Sequence, residues 1–331
     1  MEKHRKRIEW VDFGKGFTIF LVVITHCLNG YWDSVSRDQN IAYVSNSLLL
    51  IIMPIFFSLA GFFFNHPKNM REYIKMVRAK AISLLIPYTI FSIILNITKK
   101  ILGVNVGLGE IIDIWYKPIE YLWFLYILFF VFVVVGLLYT FKVNSLSQMI
   151  IYILIFCSIQ FYGADAYILK SFGWAIFFVL GVILKQNIKL LSSIYFITIS
   201  GVIFVISYLM LYRYVGYNYD YDQLSLINII PKLSVDMFCI SIFANLSIKS
   251  MFFKYFQSYG KRSMIIYLIH PPVISAVIRL FVKLHIVNSV ILIFVSLILT
   301  WGTSIAVVKL TNKVNILQFV FNPYAKIRQY L

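Results

Sequence analysis

The sequence predicts an all-α, polytopic helical membrane protein of about ten transmembrane helices with both termini cytoplasmic. Three observations lead there. Apolar runs of roughly 20 residues recur along the chain, the length a helix needs to cross about 30 Å of hydrocarbon. Only 13% of the 331 residues are charged while 61% are hydrophobic, against roughly 25% charged in an ordinary soluble domain. The basic residues also fall unevenly between alternate loops. The runs lack the polar–apolar alternation of barrel strands, so a β-barrel is excluded.

In chain order the spans are expected at 13–31, 42–64, 81–101, 121–141, 149–161, 169–184, 190–211, 229–248, 263–282 and 287–308. The first follows a basic segment with Lys3, Arg5, Lys6 and Arg7, which resembles a signal peptide. No small-residue cleavage site follows, so it reads as an uncleaved first helix. The fifth and sixth spans are short and are expected to extend into their loops, tilt or re-enter. The ninth contains Pro271-Pro272, expected to break its hydrogen-bond ladder. The longest outer connection, 211–228, is rich in Tyr and carries Asp220 and Asp222. The whole of 1–331 is expected to form a single membrane-embedded domain, with a basic cytoplasmic segment at 1–12 and a cytoplasmic tail at 309–331.

Charge tests this count. With the N-terminus inside, the even-numbered loops and both ends hold 21 of the 30 Lys and Arg residues and 4 of the 13 acids. The inner side then carries +17 and the outer side zero, the asymmetry that the positive-inside rule requires. The net charge of +17 is thereby an orientation signal and not a nucleic-acid footprint. Cys27, Cys157 and Cys239 all lie in apolar runs without paired spacing, which points to neither a disulfide framework nor a metal site.

Within the first span, His26 follows Lys15 by eleven residues. On an α-helix that separation is about 16 Å of rise and three turns plus about 20°, so the two share a face without touching. An ionisable group at membrane depth is costly and signals function by default. The competing reading is a buried histidine bonded to a neighbouring helix. Lys15 doubles as a positive-inside anchor. Asp12, three residues before Lys15, either pairs with it at the helix start or orients a substrate group.

Six segments in chain order carry a resemblance: Asp12, Lys15 and His26; FFSLAGFFF at 56–64; the basic stretch Lys75, Arg78 and Lys80 leading to Pro87-Tyr88; LWFL at 122–125; FFVLG at 177–181; and YGKRSMIIYLIHPP at 259–272. Together they resemble the acyltransferase-3 family of integral-membrane O-acyltransferases, including those that acetylate cell-surface polysaccharides. One departure is Ala60, where the family usually has Ser before Gly61.

The resemblance implies transfer of acetyl from cytosolic acetyl-CoA, a co-substrate and not a permanently bound cofactor, to a hydroxyl of a cell-surface or lipid-linked glycan. It implies a catalytic set of His26, Lys15 and Asp12, with His26 as general base or as a transient acyl carrier. Phosphates of the donor should rest where cations meet water at the inner face, which nominates Lys15, Arg78 and Lys75, with Lys80 behind them. Ser263 either caps the ninth span or bonds a phosphate near Arg262. His270 either contacts substrate or satisfies backbone freed by the prolines. Trp123 is an interfacial anchor or a wall of the acyl path. In the outer loop, Tyr217, Tyr219 and Asp222 are candidate sugar contacts. Cys27 points about 100° away from His26, so a Cys–His pair is disfavoured.

Some members of that family pass the acyl group to an appended extracellular domain. About 23 residues follow the last span here, so the acceptor is expected to meet the membrane part directly, or a separate extracytoplasmic partner to complete the transfer. Membrane lipid is the other expected partner. A composition rich in Lys, Ile and Asn suggests a bacterial inner membrane. The rival function is a glycan or small-molecule transporter or flippase with His26 as a proton site, for which a broken helix would speak. A purely structural partner of a polymer synthase is disfavoured by the ionisable groups within spans.

Overall fold

A computed structural model describes residues 8–101, 108–163, 166–217 and 219–327. The basic cluster Lys3, Arg5, Lys6 and Arg7 lies outside the described residues. Helices follow in the order α1 (Glu9–Ser34), α2 (Gln39–Phe62), α3 (Met70–Lys80), α4 (Ile86–Ile101), α5 (Leu108–Asp113), α6 (Trp123–Thr140), α7 (Ser145–Tyr162) and α8 (Lys170–Gln186). Then come α9 (Ile194–Val215), α10 (Ile229–Asn245), α11 (Met251–Gly260), α12 (Ser263–Lys283), α13 (Ser289–Thr311), α14 (Asn315–Phe321) and α15 (Pro323–Ile327). Strands are absent from the described residues.

Among the described residues nine helical segments are long and apolar enough to cross a membrane. The expected eighth span is α10, whose 17 helical residues leave it just short of the others. The two short expectations extend as foreseen: the fifth is an 18-residue helix and the sixth runs over Tyr167–Gln186.

Local chemistry sets many boundaries. Asn69 opens α3 by accepting from the Glu72 amide at 2.9 Å, and Asn144 opens α7 by accepting from Ser147 at 2.9 Å. Ser250 opens α11 through the Phe253 amide at 3.1 Å. Each side chain satisfies an amide that the first turn leaves without a carbonyl. At the other ends, Gly163 and Gly216 adopt positive φ (65° and 68°) and close α7 and α9.

The third span begins earlier than its apolar run, because α3, a π turn at Ala81–Leu85 and α4 join into one helix of 32 residues. Pro87 supplies the physical reason. It has no amide to give the Ser83 carbonyl, and a wider turn absorbs the missing rung. The ninth span corrects an expectation. Pro271 and Pro272 do not break it: α12 runs unbroken over 21 residues through both.

The chain divides into two compact units. The first comprises Met1–Ala60 and Leu184–Ile305, the second Gly61–Ile183 and Ala306–Leu331. In the first, α1 packs against α11, α12 and α10. Phe13 stacks on Phe253 at 4.8 Å between ring centroids, and Phe17 meets Phe256 edge-on at 5.4 Å. In the second, α3 and the π turn pack on α6. There Phe64, Phe132 and Phe178 form a mutual aromatic cluster with centroids 4.9–5.9 Å apart.

Candidate functional site

In the first unit, α1 is one uninterrupted helix from Glu9 to Ser34, so the helical arithmetic for Lys15 and His26 holds along its length. Two glycines fix its N-terminal end. A Cβ on Gly16 would stand 1.9 Å from the Phe256 carbonyl oxygen, and one on Gly260 would stand 1.7 Å from that of Asp12. The backbones of α1 and α11 therefore touch, which only paired glycines allow. Asp12 is buried at this crossing, and Lys15 is half-buried one turn beyond it. Ser263 is the first residue of α12, and Arg262, not Ser263, occupies the cap position, without a side-chain cap bond.

Further along α1, His26 is half-buried and meets His270 of α12, with ring centroids 4.9 Å apart and planes inclined by 59°. His270 is fully buried, and its Nδ1 lies 3.1 Å from the Ile266 carbonyl oxygen. A ring nitrogen facing a carbonyl oxygen must carry the hydrogen, so Nδ1–H donates and Nε2 of the neutral ring keeps its lone pair. Pro271 deprives the Tyr267 carbonyl of its helical N–H, one turn before the ring. The helix that carries His270 runs unbroken through both prolines, and the Ile266 carbonyl one turn back anchors its Nδ1 edge.

His26 stands 17 residues from the first residue of α1 and 8 from the last, roughly 25 Å and 12 Å of helix. The paired imidazoles therefore lie nearer the C-terminal end of α1 than its N-terminal end.

The second unit holds the other cations. Arg78 and Lys75 are exposed on α3, an amphipathic helix without a buried residue. Lys80 behaves differently: its Nζ sits 3.9 Å above the Phe132 ring centroid, a cation–π contact that takes its stem inward. Trp123, half-buried at the start of α6, packs on Trp174 at 5.7 Å. Gly61 approaches α8 so closely that a Cβ would lie 1.9 Å from the Phe178 carbonyl oxygen. Two of the sequence segments, FFSLAGFFF and FFVLG, therefore meet backbone to backbone at this point.

A sequence profile described as an acyltransferase domain, Acyl_transf_3, matches residues 8–308. The chain belongs to the acyltransferase-3 family. No curated protein and no solved structure matches it. The match spans every candidate residue named above, from Asp12 to His270, and makes this chain a membrane acyltransferase.

The structure adds residues that the sequence reading passed over. Within α10, Lys232 and Asp236 are both fully buried. Lys232 Nζ donates to the carbonyls of Asp222 at 3.2 Å and Gln223 at 2.9 Å. It thereby ties the loop after α9 to the start of α10. Ser58 of α2 donates to Asp236 Oδ2. Two ionisable residues inside one apolar run were the available signal.

Asp222 and its neighbours belong to a folded loop. Tyr217 Oη accepts from Gln39 at 2.9 Å, its carbonyl accepts from Asn46 at 2.6 Å, and Tyr219 Oη bonds Ser225. Burial, with Tyr208, Tyr212 and Tyr219 alongside, pushes the Tyr221 phenol up to about 12. It stays neutral and donates to the Gly216 carbonyl at 2.7 Å.

Proposed function

We propose that this chain is a membrane O-acyltransferase that moves acetyl from cytosolic acetyl-CoA to a hydroxyl of a cell-surface or lipid-linked glycan, with His26 as general base. The observation that carries the reading is the pair of imidazoles, His26 and His270, 4.9 Å apart at membrane depth in a chain of this acyltransferase family.

The step balances with two residues. His26 takes the proton of the acceptor hydroxyl as its oxygen attacks the thioester carbonyl carbon. The C–S bond then breaks, and the proton on His26 passes to the departing CoA sulfur. His270, locked as the Nδ1–H tautomer by its carbonyl acceptor, holds the neighbouring ring in a productive orientation and shields it from bulk water. His270 is thus a positioning residue as much as a substrate contact.

Donor phosphates fit cations at the cytoplasmic side. Lys15 marks one end of a helical ruler of about 16 Å whose other end is His26. The positive-inside rule assigns Arg78 and Lys75 to the same side of the membrane, where an exposed guanidinium can grip phosphate bidentately. Ser263, at the first turn of α12, offers a hydroxyl on that side. Asp12, buried beside the α1–α11 crossing, keeps the start of α1 and hence Lys15 in place. Trp123 is assigned to the path of the acyl group and Asp222 to the acceptor sugar. An extracytoplasmic partner for the acceptor, and a bacterial inner-membrane location, belong to the same reading.

The transporter alternative loses one of its supports, the broken helix, since α12 is unbroken at Pro271-Pro272. The test supplies radiolabelled acetyl-CoA to membranes from cells carrying the wild type or His26→Ala. Labelled glycan should disappear in the variant while glycan export continues. Labelling at the wild-type level in His26→Ala would overturn the reading.

A further inference from the structure

We infer that Asn29 supplies the hydrogen-bond donor for the acyl carbonyl beside His26, and that Ser45 holds it in place. The inference rests on the reading of His26 as the base and adds a reacting-atom contact to it.

Accessibility along α1 carries the first part. Between residues 25 and 31, Thr25, Cys27, Leu28 and Tyr31 are buried, while His26, Asn29 and Gly30 remain partly open. His26 and Asn29 stand at i and i+3, on a single helix face, while Gly30 beside them is packed against Ile278 of α12. A His and an Asn do not face hydrocarbon without cost, so a partly open face built from them is suited to a polar ligand and not to a lipid tail. Residues three apart on a helix have Cβ atoms about 5–6 Å from each other, so a group hydrogen-bonded to His26 lies within reach of the Asn29 side chain.

Orientation carries the second part. The Ser45 hydroxyl of α2 donates to Asn29 Oδ1, and Ser45 is 1% exposed, so water does not compete for that bond. Fixing Oδ1 toward α2 turns the Nδ2 amino group the other way, where it offers two N–H donors. On the α12 side the chain closes tightly: a Cβ on Gly30 would stand 2.3 Å from Ile278 Cδ1, on the same α12 that brings His270 to His26. In the inferred arrangement the Asn29 amino group is directed along the face it shares with His26.

A donor there has a chemical task. When the acceptor oxygen adds to the thioester, charge moves onto the former carbonyl oxygen, and a pre-oriented N–H stabilises that oxyanion as His26 takes the proton. Loss of one such donor typically lowers kcat by about 10²–10³. Asn29 then touches the reacting atoms, whereas Ser45 acts through Asn29 and is a positioning residue.

The decisive variant is Asn29→Asp, which is isosteric, keeps an oxygen for Ser45 and removes the donor. Assayed in membranes with acetyl-CoA and the endogenous glycan, Asn29→Asp and Asn29→Ala should lower kcat by about 10²-fold, with the KM for acetyl-CoA within about twofold of wild type. Ser45→Ala should lower kcat by less, and Ser45→Thr should restore it. Should Asn29→Ala fail to accumulate in the membrane, Asn29→Asp alone decides. If Asn29 is only a latch between α1 and α2, Asn29→Asp retains wild-type kcat while Ser45→Ala reduces the amount of folded protein; that outcome overturns the inference. An active His26→Ala would instead strike the base assignment, so the two failures are distinguishable.

Discussion

The two compact units of this protein differ in where they keep their charged and imidazole groups. The first buries them: His270, Lys232 and Asp236 are fully enclosed, and His26 and Asn29 open on one face of α1. Among its described residues the second encloses only neutral polar side chains, such as Asn96 and Gln148, beside its aromatic cluster, and its Arg78 and Lys75 stand in the open on an amphipathic helix. Enclosed polar groups in low dielectric have fixed partners and strong fields, which is what bond-making needs. Exposed cations on long side chains are screened and mobile, which suits the capture of a charged ligand. In the proposed function the enclosed groups serve the acyl transfer and the exposed cations the donor phosphates.

The largest expected effect comes from the close helix approaches. Gly260→Leu, whose Cβ would overlap the Asp12 carbonyl at 1.7 Å, should abolish accumulation of folded protein. Gly61→Leu, against Phe178, should do the same in the second unit, whereas Gly302→Leu, with nothing within 4 Å, should be tolerated. Size-exclusion profiles of the solubilised variants check this, and equal behaviour of all three would remove the claim that the helices meet backbone to backbone.

Next in size is the positioning partner of the base. His270→Ala should lower kcat by about 10–100-fold with little change in the KM for acetyl-CoA, since second contacts of this kind cost about that much elsewhere. A comparable loss in KM alone would place His270 in donor binding.

A smaller effect belongs to the loop after α9. Lys232→Met leaves the carbonyls of Asp222 and Gln223 without their buried donor, a cost of about 1–3 kcal/mol. The midpoint of thermal unfolding should fall, and the KM for the acceptor should rise while that for acetyl-CoA stays. The smallest effect is at Lys15: Lys15→Ala should raise the KM for acetyl-CoA several-fold, and Lys15→Arg should recover most of it. If both match the wild type, Lys15 is a topological anchor.

How much of this was legible in the sequence depends on distance along the chain. Lys15 and His26 share one helix, so their common face followed from 3.6 residues per turn, and α1 confirms that it runs uninterrupted between them. The approach of His26 to His270 was not readable, because hydropathy says that both lie in spans but nothing about which spans touch. Ala60-Gly61 was read as a packing element, and Gly61 is one, against Phe178.

Pro271-Pro272 misled, since a lone rule about missing amides predicts a break, whereas the surrounding helix absorbs two lost rungs. Pro87 shows the other outcome, a π turn at Ala81–Leu85 that apolar patterning does not register. Lys232 and Asp236 were visible as charges in an apolar run, but their partners, a loop carbonyl pair and Ser58, come from folding alone. Asn29 looked like an unremarkable polar residue near a span's end until Ser45 fixed its orientation.

The division of labour between enclosed and exposed groups is tested most directly by steady-state kinetics of acetyl transfer from acetyl-CoA to endogenous glycan. The comparison sets His26→Ala against Arg78→Ala in the same membranes. The account predicts that His26→Ala lowers kcat by at least about 10²-fold with the KM for acetyl-CoA unchanged, and that Arg78→Ala raises that KM with kcat intact. A His26→Ala variant that keeps its kcat and loses only affinity for acetyl-CoA would contradict it.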